Sequence, residues 1–304
     1  TLIESTKLKD RSKSEKLIKK LYKKSGNSLR IGVSGPPGVG KSTFIETLGI
    51  FLTNKSYKVA VLAVDPSSKK SGGSILGDKT RMPELAIKKN AFIRPSPSGG
   101  ELGGVARRTR ESMILVESAG YEIILIETVG VGQSETEVAE MVDIFLVLLQ
   151  PSSGDELQGI KKGIIEIADL LVVNKEDEFK DEVLRTVADY KNALSLLKKN
   201  KNSLDKKVIK CSALNKTGID EIWKIILNFK TLGYKKGWIQ EKRTKQLEKW
   251  IWDDLQKNLF EKIKDDKKLA SEFVKLEKKV SKNLISPTEA SKKILQHYIK
   301  NNKS

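Results

Sequence analysis

The octapeptide Gly35-Pro-Pro-Gly-Val-Gly-Lys-Ser42 limits what this chain can fold into more than any other stretch. It has the spacing G-x-x-x-x-G-K-[ST], which works where a strand runs into a helix. The neighbours supply that setting. A β-branched run at 29–34 precedes it and an amphipathic segment at 41–54 follows. The glycines let backbone N–H groups wrap phosphate oxygens, and the helix N-terminus adds its positive end. Gly35, Pro36, Pro37, Gly38, Val39, Gly40, Lys41, Ser42 and Thr43 are therefore expected to cradle a nucleoside triphosphate. Lys41 would reach the β- and γ-phosphates and Ser42 would offer an oxygen to Mg²⁺. The loop alone does not choose between ATP and GTP.

From residue 29 to about 230, short apolar runs alternate with longer amphipathic segments. The runs fall at 29–34, 58–64, 91–95, 121–127, 143–150, 170–174 and 207–211, and helices are expected at 41–54, 103–119, 134–141, 155–167, 178–199 and 218–230. Near-continuous apolar runs between helices are the mark of a parallel sheet covered on both faces. The expected fold is thus α/β, a doubly wound, mostly parallel sheet. Residues 1–28 read as a polar amphipathic helix and a short linker. The pattern after 232 is helical only, at 246–260, at 268–281 and from Pro287, with Ser286 as N-cap. Three segments follow: a helical arm 1–28, a nucleotide domain 29–232 and a helical arm 233–304.

The base pocket is expected in Asn174-Lys-Glu-Asp177, at the end of a late strand. Asp177 can accept from both N1–H and the exocyclic amine of guanine, an arrangement adenine lacks, so the carboxylate selects GTP. Asn174 would hold the loop and the stem of Lys175 would lie over the base. Ser212, Ala213 and Leu214 follow a further strand, and their backbone N–H groups could meet the guanine oxygen. Glu127 ends another apolar strand, where a lone carboxylate is costly without a partner such as hydrated Mg²⁺. Gly130, three residues on, can offer a backbone N–H to a γ-phosphate. Asp65 is a second acidic strand end, and Asp78 lies in a glycine-rich loop that could close over the nucleotide. Glu127, Asp65 and Asp78 could each instead serve turns or helix caps. Gln133 is a hydrolytic candidate by its nearness to Gly130, or a switch residue only.

Composition removes other classes. The single Cys211 cannot form an internal disulfide, which fits a reducing compartment. With one Cys and one His, His297, a zinc cluster is not available. No apolar run is long enough for a membrane span. The net charge of +18 raises nucleic acid as a partner. Yet residues 31–175 hold 16 basic and 17 acidic side chains, leaving 41 basic and 22 acidic in the flanks. The excess is lysine at helical spacing, without interleaved aromatics, and reads as a solvated helix surface.

Together these residues resemble the MeaB/ArgK-type GTPases, the methylmalonyl-CoA mutase-associated G proteins, within the wider P-loop class of signal-recognition and MinD-like proteins. The matching stretches run from Thr1-Leu-Ile-Glu-Ser5 through 35–43, 63–68, 73–82, 103–109, 127–135 and 154–163 to the helical tail at 250–287. The resemblance implies a homodimeric GTPase with a C-terminal dimerisation arm, acting as a chaperone of an adenosylcobalamin-dependent mutase and gating cofactor transfer from a cobalamin adenosyltransferase. It implies Mg²⁺ ligands at Ser42, Asp65, Asp78 and Glu127. It also implies a switch loop at 154–162 in which Asp155 and Lys161 are the charged actors. The compartment implied is the cytoplasm, or the mitochondrial matrix in a eukaryote.

Rival readings remain. Hydrogenase- or urease-type metal-insertion GTPases use His and Cys positions that this chain lacks. A signal-recognition GTPase carries a Met-rich domain, and there are 3 Met. MinD-like ATPases place a Lys where Pro36 stands. A D-x-H-x-x-G cobalamin loop is absent, so cobalamin would belong to a partner. An amino-acid transport ATPase or kinase, an older label for this family, stays open, as does a basic nucleic-acid-binding NTPase.

Overall fold

The computed structural model describes residues 2, 3, 5, 7–65, 81–97, 104–128, 133–151, 162–195 and 205–301. Packing divides the chain into two compact units, Thr1–Gln246 and Leu247–Ser304, each treated by itself below.

The first unit alternates strand and helix as the apolar pattern indicates. Its elements are α1 (Leu8–Leu21), β1 (Leu29–Ser34), α2 (Lys41–Asn54), β2 (Val59–Asp65), α3 (Pro83–Ala86), β3 (Ala91–Pro97), α4 (Gly104–Ser118) and β4 (Ile123–Thr128). They continue with α5 (Gln133–Ala139), β5 (Ile144–Leu149), α6 (Lys162–Ile167), β6 (Leu170–Val173), α7 (Lys180–Ser195), β7 (Lys207–Lys210), α8 (Ile219–Lys235) and the start of α9 (Trp238–Asp265). The seven strands form one sheet in the order β3-β2-β4-β1-β5-β6-β7. Every neighbouring pair is parallel. β1 is central, with β4 on one side and β5 on the other. The order therefore reverses beside it, and the crevice at the carboxyl ends of β1 and β4 is where such sheets bind ligands.

Alternation within the strands builds the two faces. Ile123 and Leu125 of β4, with Ile144, Leu146 and Leu148 of β5, join one core with Phe44, Ile45 and Leu48 of α2 and Ile222, Trp223 and Ile226 of α8. Ile124 and Ile126, with Phe145, Val147 and Leu149, join the other core with Met113 of α4, Val138 of α5 and Val183 and Tyr190 of α7. β4 and β5 are buried at every position, which is why their sequences carry no polar alternation.

Three details differ from the sequence pattern. The segment 83–86 forms the short α3, where the apolar pattern indicates no helix. The helix expected at 218–230 runs on to Lys235. Ile239 fills the space beside Gly233, where an added Cβ would meet its Cδ1 at 2.8 Å, so that glycine stays helical. Gly237 then takes a left-handed φ of 79°, the conformation that ends a helix, and α9 starts at Trp238 rather than at 246. Division by packing accordingly falls at Gln246, and α1 packs within the first unit.

The start of α9 is fastened to the amino ends of β1 and β5 by a buried ionic cluster. Arg243 Nε donates to Asp143 Oδ1 at 2.7 Å and its Nη2 to Oδ2 at 2.6 Å. The guanidinium also donates to the carbonyls of Gly26 and Ser28. Asp143 Oδ2 further accepts from the Arg30 N–H at 2.9 Å, and the Arg30 side chain pairs with Glu117 at 2.9 Å. Gln246 Nε2 donates to the Val142 carbonyl. The Asp143 side chain is wholly buried, so its charge depends on these donors.

In the second unit, α9 from Leu247 is followed by α10 (Lys267–Ser281) and α11 (Pro287–Asn301). Ser286 Oγ accepts from the Glu289 N–H at 3.1 Å, the N-cap bond its position implies. Leu269, Leu276 and Ala290 are buried, while Ile251, Trp252, Leu255 and Phe260 are each more than half exposed. Among the described residues no helix is long and apolar enough to cross a membrane.

Arg243→Ala leaves the Asp143 carboxylate buried without its main partner, a defect that costs about 3–5 kcal/mol. The expected result is a large drop in the urea midpoint, with only partial recovery in Arg243→Lys, which cannot make the bidentate pair.

Candidate functional site

The phosphate loop sits where the topology puts a ligand. Residues 35–40 leave β1 and deliver Lys41 to the first turn of α2. Gly40 holds a left-handed φ of 90°, and an added Cβ would stand 2.8 Å from Asn174 Nδ2. Both facts require glycine there. A cavity of about 450 Å³ opens over the loop. The loop and α2 give it Pro37, Gly38, Gly40, Lys41, Ser42 and Thr43. β2 gives Ala63 and Val64, β4 gives Glu127 and Thr128, and Arg81 completes the wall.

Inside it, Lys41 Nζ donates to the carbonyls of Gly35 at 2.8 Å and Pro36 at 3.0 Å. Burial pulls the Lys41 ammonium below the usual lysine range. The carboxylates of Glu127 and Glu135 oppose that pull, and the charge of Arg81 adds to it. Ser42 Oγ donates to Glu127 Oε1 at 3.2 Å. A hydroxyl and a carboxylate within reach of one another form the start of an all-oxygen donor set, the kind that suits Mg²⁺. Asp65 ends β2, the strand next to β4; its side chain lies outside the described ones. Asp78, Gly130, Asp155 and Lys161 also lie outside the described residues. Gln133 opens α5, its side chain likewise undescribed.

The loops after β6 and β7, where the base pocket is expected, are bonded to the phosphate loop. Asn174 follows β6 and is buried. Its Nδ2 donates to the Val39 carbonyl at 2.9 Å, and its Oδ1 accepts from the Ala213 N–H at 2.9 Å. One side chain thus ties the phosphate loop to the loop after β7. Thr47 Oγ1 of α2 adds a bond to the Ala213 carbonyl at 2.8 Å. Lys175 takes a left-handed φ of 67°, costly for a lysine and a sign that the turn is held by its surroundings. Asp177 is exposed, Ser212 and Ala213 are buried, and Leu214 is exposed. The structure therefore brings Lys41, Ser42, Glu127, Asn174 and Ala213 into one connected arrangement, while Asp177 stands exposed at the surface.

Two contributors carry no distinguishing signal in the sequence. Arg81 is one of several arginines whose chemistry suits phosphate contact, and only the fold sets it in the cavity wall. Glu135 is buried behind the pocket. In Gln133-Ser-Glu-Thr-Glu-Val-Ala-Glu140 nothing marks it off from Glu137 or Glu140, so no local signal could have found it.

Comparison with known proteins agrees with this geometry. The family model described as "Methylmalonyl Co-A mutase-associated GTPase MeaB" matches residues 1–268. The mouse protein "Methylmalonic aciduria type A homolog, mitochondrial" is 45% identical over 309 residues, covering 98% of this chain and 74% of that protein. "GTPase ArgK" of Escherichia coli is 50% identical over 252 residues, covering 83% of this chain and 76% of its own length. A crystal structure described as "LAO/AO transport system kinase" superposes with a TM-score of 0.75 at 37% identity, covering 98% of this chain and 90% of that one.

Asn174→Ala would leave the Val39 carbonyl and the Ala213 N–H without their partner, and buried unpaired groups cost about 1–3 kcal/mol each. The expected outcome is a loss of both thermal stability and nucleotide affinity, read by melting with and without GDP; an unchanged affinity would disprove the tie. Cys211 gives a separate check. Burial first, then Glu176 and Asp177, push its thiol from 9.0 up to about 12. The folded chain holds the proton where the unfolded chain has lost it, so this group's contribution to stability is whole below about pH 9 and disappears towards about pH 12. At about pH 8 the thiol should react with Ellman's reagent only after denaturation.

Proposed function

The chain belongs to the family of methylmalonyl-CoA mutase-associated GTPases, and on that footing we propose that it is a nucleotide-gated chaperone of an adenosylcobalamin-dependent acyl-CoA mutase. The chain hydrolyses GTP to GDP. The observation that carries the proposal is the match of the family model over residues 1–268, which extends well beyond the phosphate cavity. In this reading GTP hydrolysis gates cofactor loading from a cobalamin adenosyltransferase and protects or reactivates the mutase. Methylmalonyl-CoA mutase is the partner we favour. The name of the mouse relative, with its reference to methylmalonic aciduria, supports that choice.

Residue roles complete the reading. Ser42 and Glu127, with Asp65 and Asp78, would hold Mg²⁺, which when bound supplies charge neutralisation at the β- and γ-phosphate oxygens. Lys41 and the N–H groups of 35–43 neutralise the rest of the charge that builds up as water attacks the γ-phosphorus in line and GDP leaves. The Gly130 N–H serves the γ-phosphate. Asp177 selects guanine, with Lys175 over the ring and Ser212, Ala213 and Leu214 at its oxygen. Gln133, Asp155 and Lys161 belong to the segments that convey the nucleotide state to the partner. The exposed Ile251, Trp252, Leu255 and Phe260 give α9 an apolar surface that suits a second copy of the chain, so the working form is a homodimer. Its place is a reducing compartment, the cytoplasm or, in a eukaryote, the mitochondrial matrix.

A second reading has one observation in its favour, the transport-kinase description of the structure with a TM-score of 0.75. It requires the γ-phosphate to move to a protein side chain rather than to water.

The deciding experiment is a pull-down with purified methylmalonyl-CoA mutase in GDP and in a non-hydrolysable GTP analogue, resolved by size exclusion with light scattering. Nucleotide-dependent capture by a dimer is expected. Capture that ignores the nucleotide, or none, would sink the chaperone reading, and label from γ-³²P-GTP appearing on protein would favour the kinase. Lys41→Ala should lower GTP turnover by about 100-fold or more.

A further inference from the structure

Behind the phosphate cavity lies a buried carboxylate that neither the loop motif nor base recognition accounts for. Glu135, in the first turn of α5, is 3% exposed. Its Oε1 accepts a hydrogen bond from Ser34 Oγ at 3.1 Å, and Ser34 Oγ accepts one from Thr128 Oγ1 at 2.9 Å. Two hydroxyls thus form a directed chain that ends on a carboxylate. Ser34 is the last residue of β1 and Thr128 the last of β4, and both are fully buried.

Close packing explains the placement. Gly32 precedes Ser34 by two residues and shares its face of β1. A Cβ at Gly32 would stand 2.7 Å from Phe145 Cδ2 and 3.1 Å from Val138 Cγ1. The absent side chain lets Val138 lie against the strand. Glu135 precedes Val138 by three residues on the same face of α5, which sets it over Ser34. A carboxylate out of water needs hydrogen bonds and opposite charge. The Ser34 hydroxyl supplies the first, and Lys41 feels its charge. Each hydroxyl in such a chain polarises the next.

Both ends of the chain matter for the reaction. Ser34 immediately precedes Gly35 of the phosphate loop. Thr128 immediately follows Glu127 and lines the cavity. We propose that Glu135 is a positioning residue for GTP hydrolysis. Through Ser34 and Thr128 it fixes the ends of β1 and β4, and with them the phosphate loop and Glu127, relative to α5. It acts on these neighbours and does not touch the nucleotide. The inference rests on GTP hydrolysis alone, so a failed mutase pull-down leaves it standing.

The test compares the full-length chain with Glu135→Ala, Glu135→Gln, Ser34→Ala and the double variant Ser34→Ala/Glu135→Ala. Steady-state GTP hydrolysis is measured beside thermal melts and binding of a fluorescent GDP analogue. Glu135→Ala should lower kcat by about 10- to 100-fold, with KM and GDP affinity changed far less. Glu135→Gln keeps an oxygen that accepts from Ser34 and should recover most of kcat. Ser34→Ala should repeat the loss, and the double variant should add little to it. Wild-type kcat in Glu135→Ala, no recovery in Glu135→Gln, additive losses, or a rate that falls only with the folded fraction would each overturn the proposal. If Glu135→Ala does not fold, the remaining pair decides: a slow Ser34→Ala beside a near-normal Glu135→Gln supports the proposal, and any other pairing overturns it.

Discussion

The site depends on one buried amide. Asn174 reaches from the end of β6 to the Val39 carbonyl and receives the Ala213 N–H, so two loops separated by most of the nucleotide-binding unit share one side chain. The bond also dictates its surroundings. Gly40 has no room for a Cβ beside the amide, and the Ala213 carbonyl is taken up by Thr47 from α2. Low dielectric strengthens such a network when every member is paired and penalises it heavily when one is not. The phosphate loop and the loops after β6 and β7 are therefore held at a fixed separation by bonds that water cannot easily replace.

The sheet is polar at both ends and apolar between. At the carboxyl ends of the strands are Lys41, Glu127 and the Thr128–Ser34–Glu135 chain. At the amino ends, Asp143, Arg243, Arg30 and Glu117 form the second cluster. Every residue of β4 and β5 between them is buried. Hydrophobic burial gives the unit its stability without direction, and the two clusters give direction. One ties the ends of β1 and β4 to α5 beside the phosphate loop. The other fixes the root of α9, whose course beyond Gln246 belongs to the second unit.

Much of this is legible in the sequence because the signals are local. Strand identity follows from unbroken apolar runs at 123–126 and 144–149, and the phosphate loop from glycine spacing between a strand and a helix. The charge distribution is readable for the same reason. Residues 31–175 nearly balance their charges, and the lysine excess falls on the flanking helices. Other features are silent. Glu135, Glu137 and Glu140 sit in one short acidic segment, and Glu135 is the one placed in the buried core. Gly32 looks like any strand glycine, yet it admits Val138 and so sets the position of α5. Gly233 looks like a helix end, and the packing of Ile239 keeps it within α8.

The sequence by itself determined the order of strands and helices and the phosphate-loop motif, and it marked out Asn174-Lys-Glu-Asp177 at a strand end, because each rests on spacing within a few residues. Tertiary structure decided which acid lies behind the cavity, which loops the Asn174 amide joins and where the first unit ends. Those outcomes come from side chains brought together across some 40 to 215 residues of chain. Burial then turns an ordinary Glu, Asn or Arg into a group that must be paired, and no local pattern records that requirement.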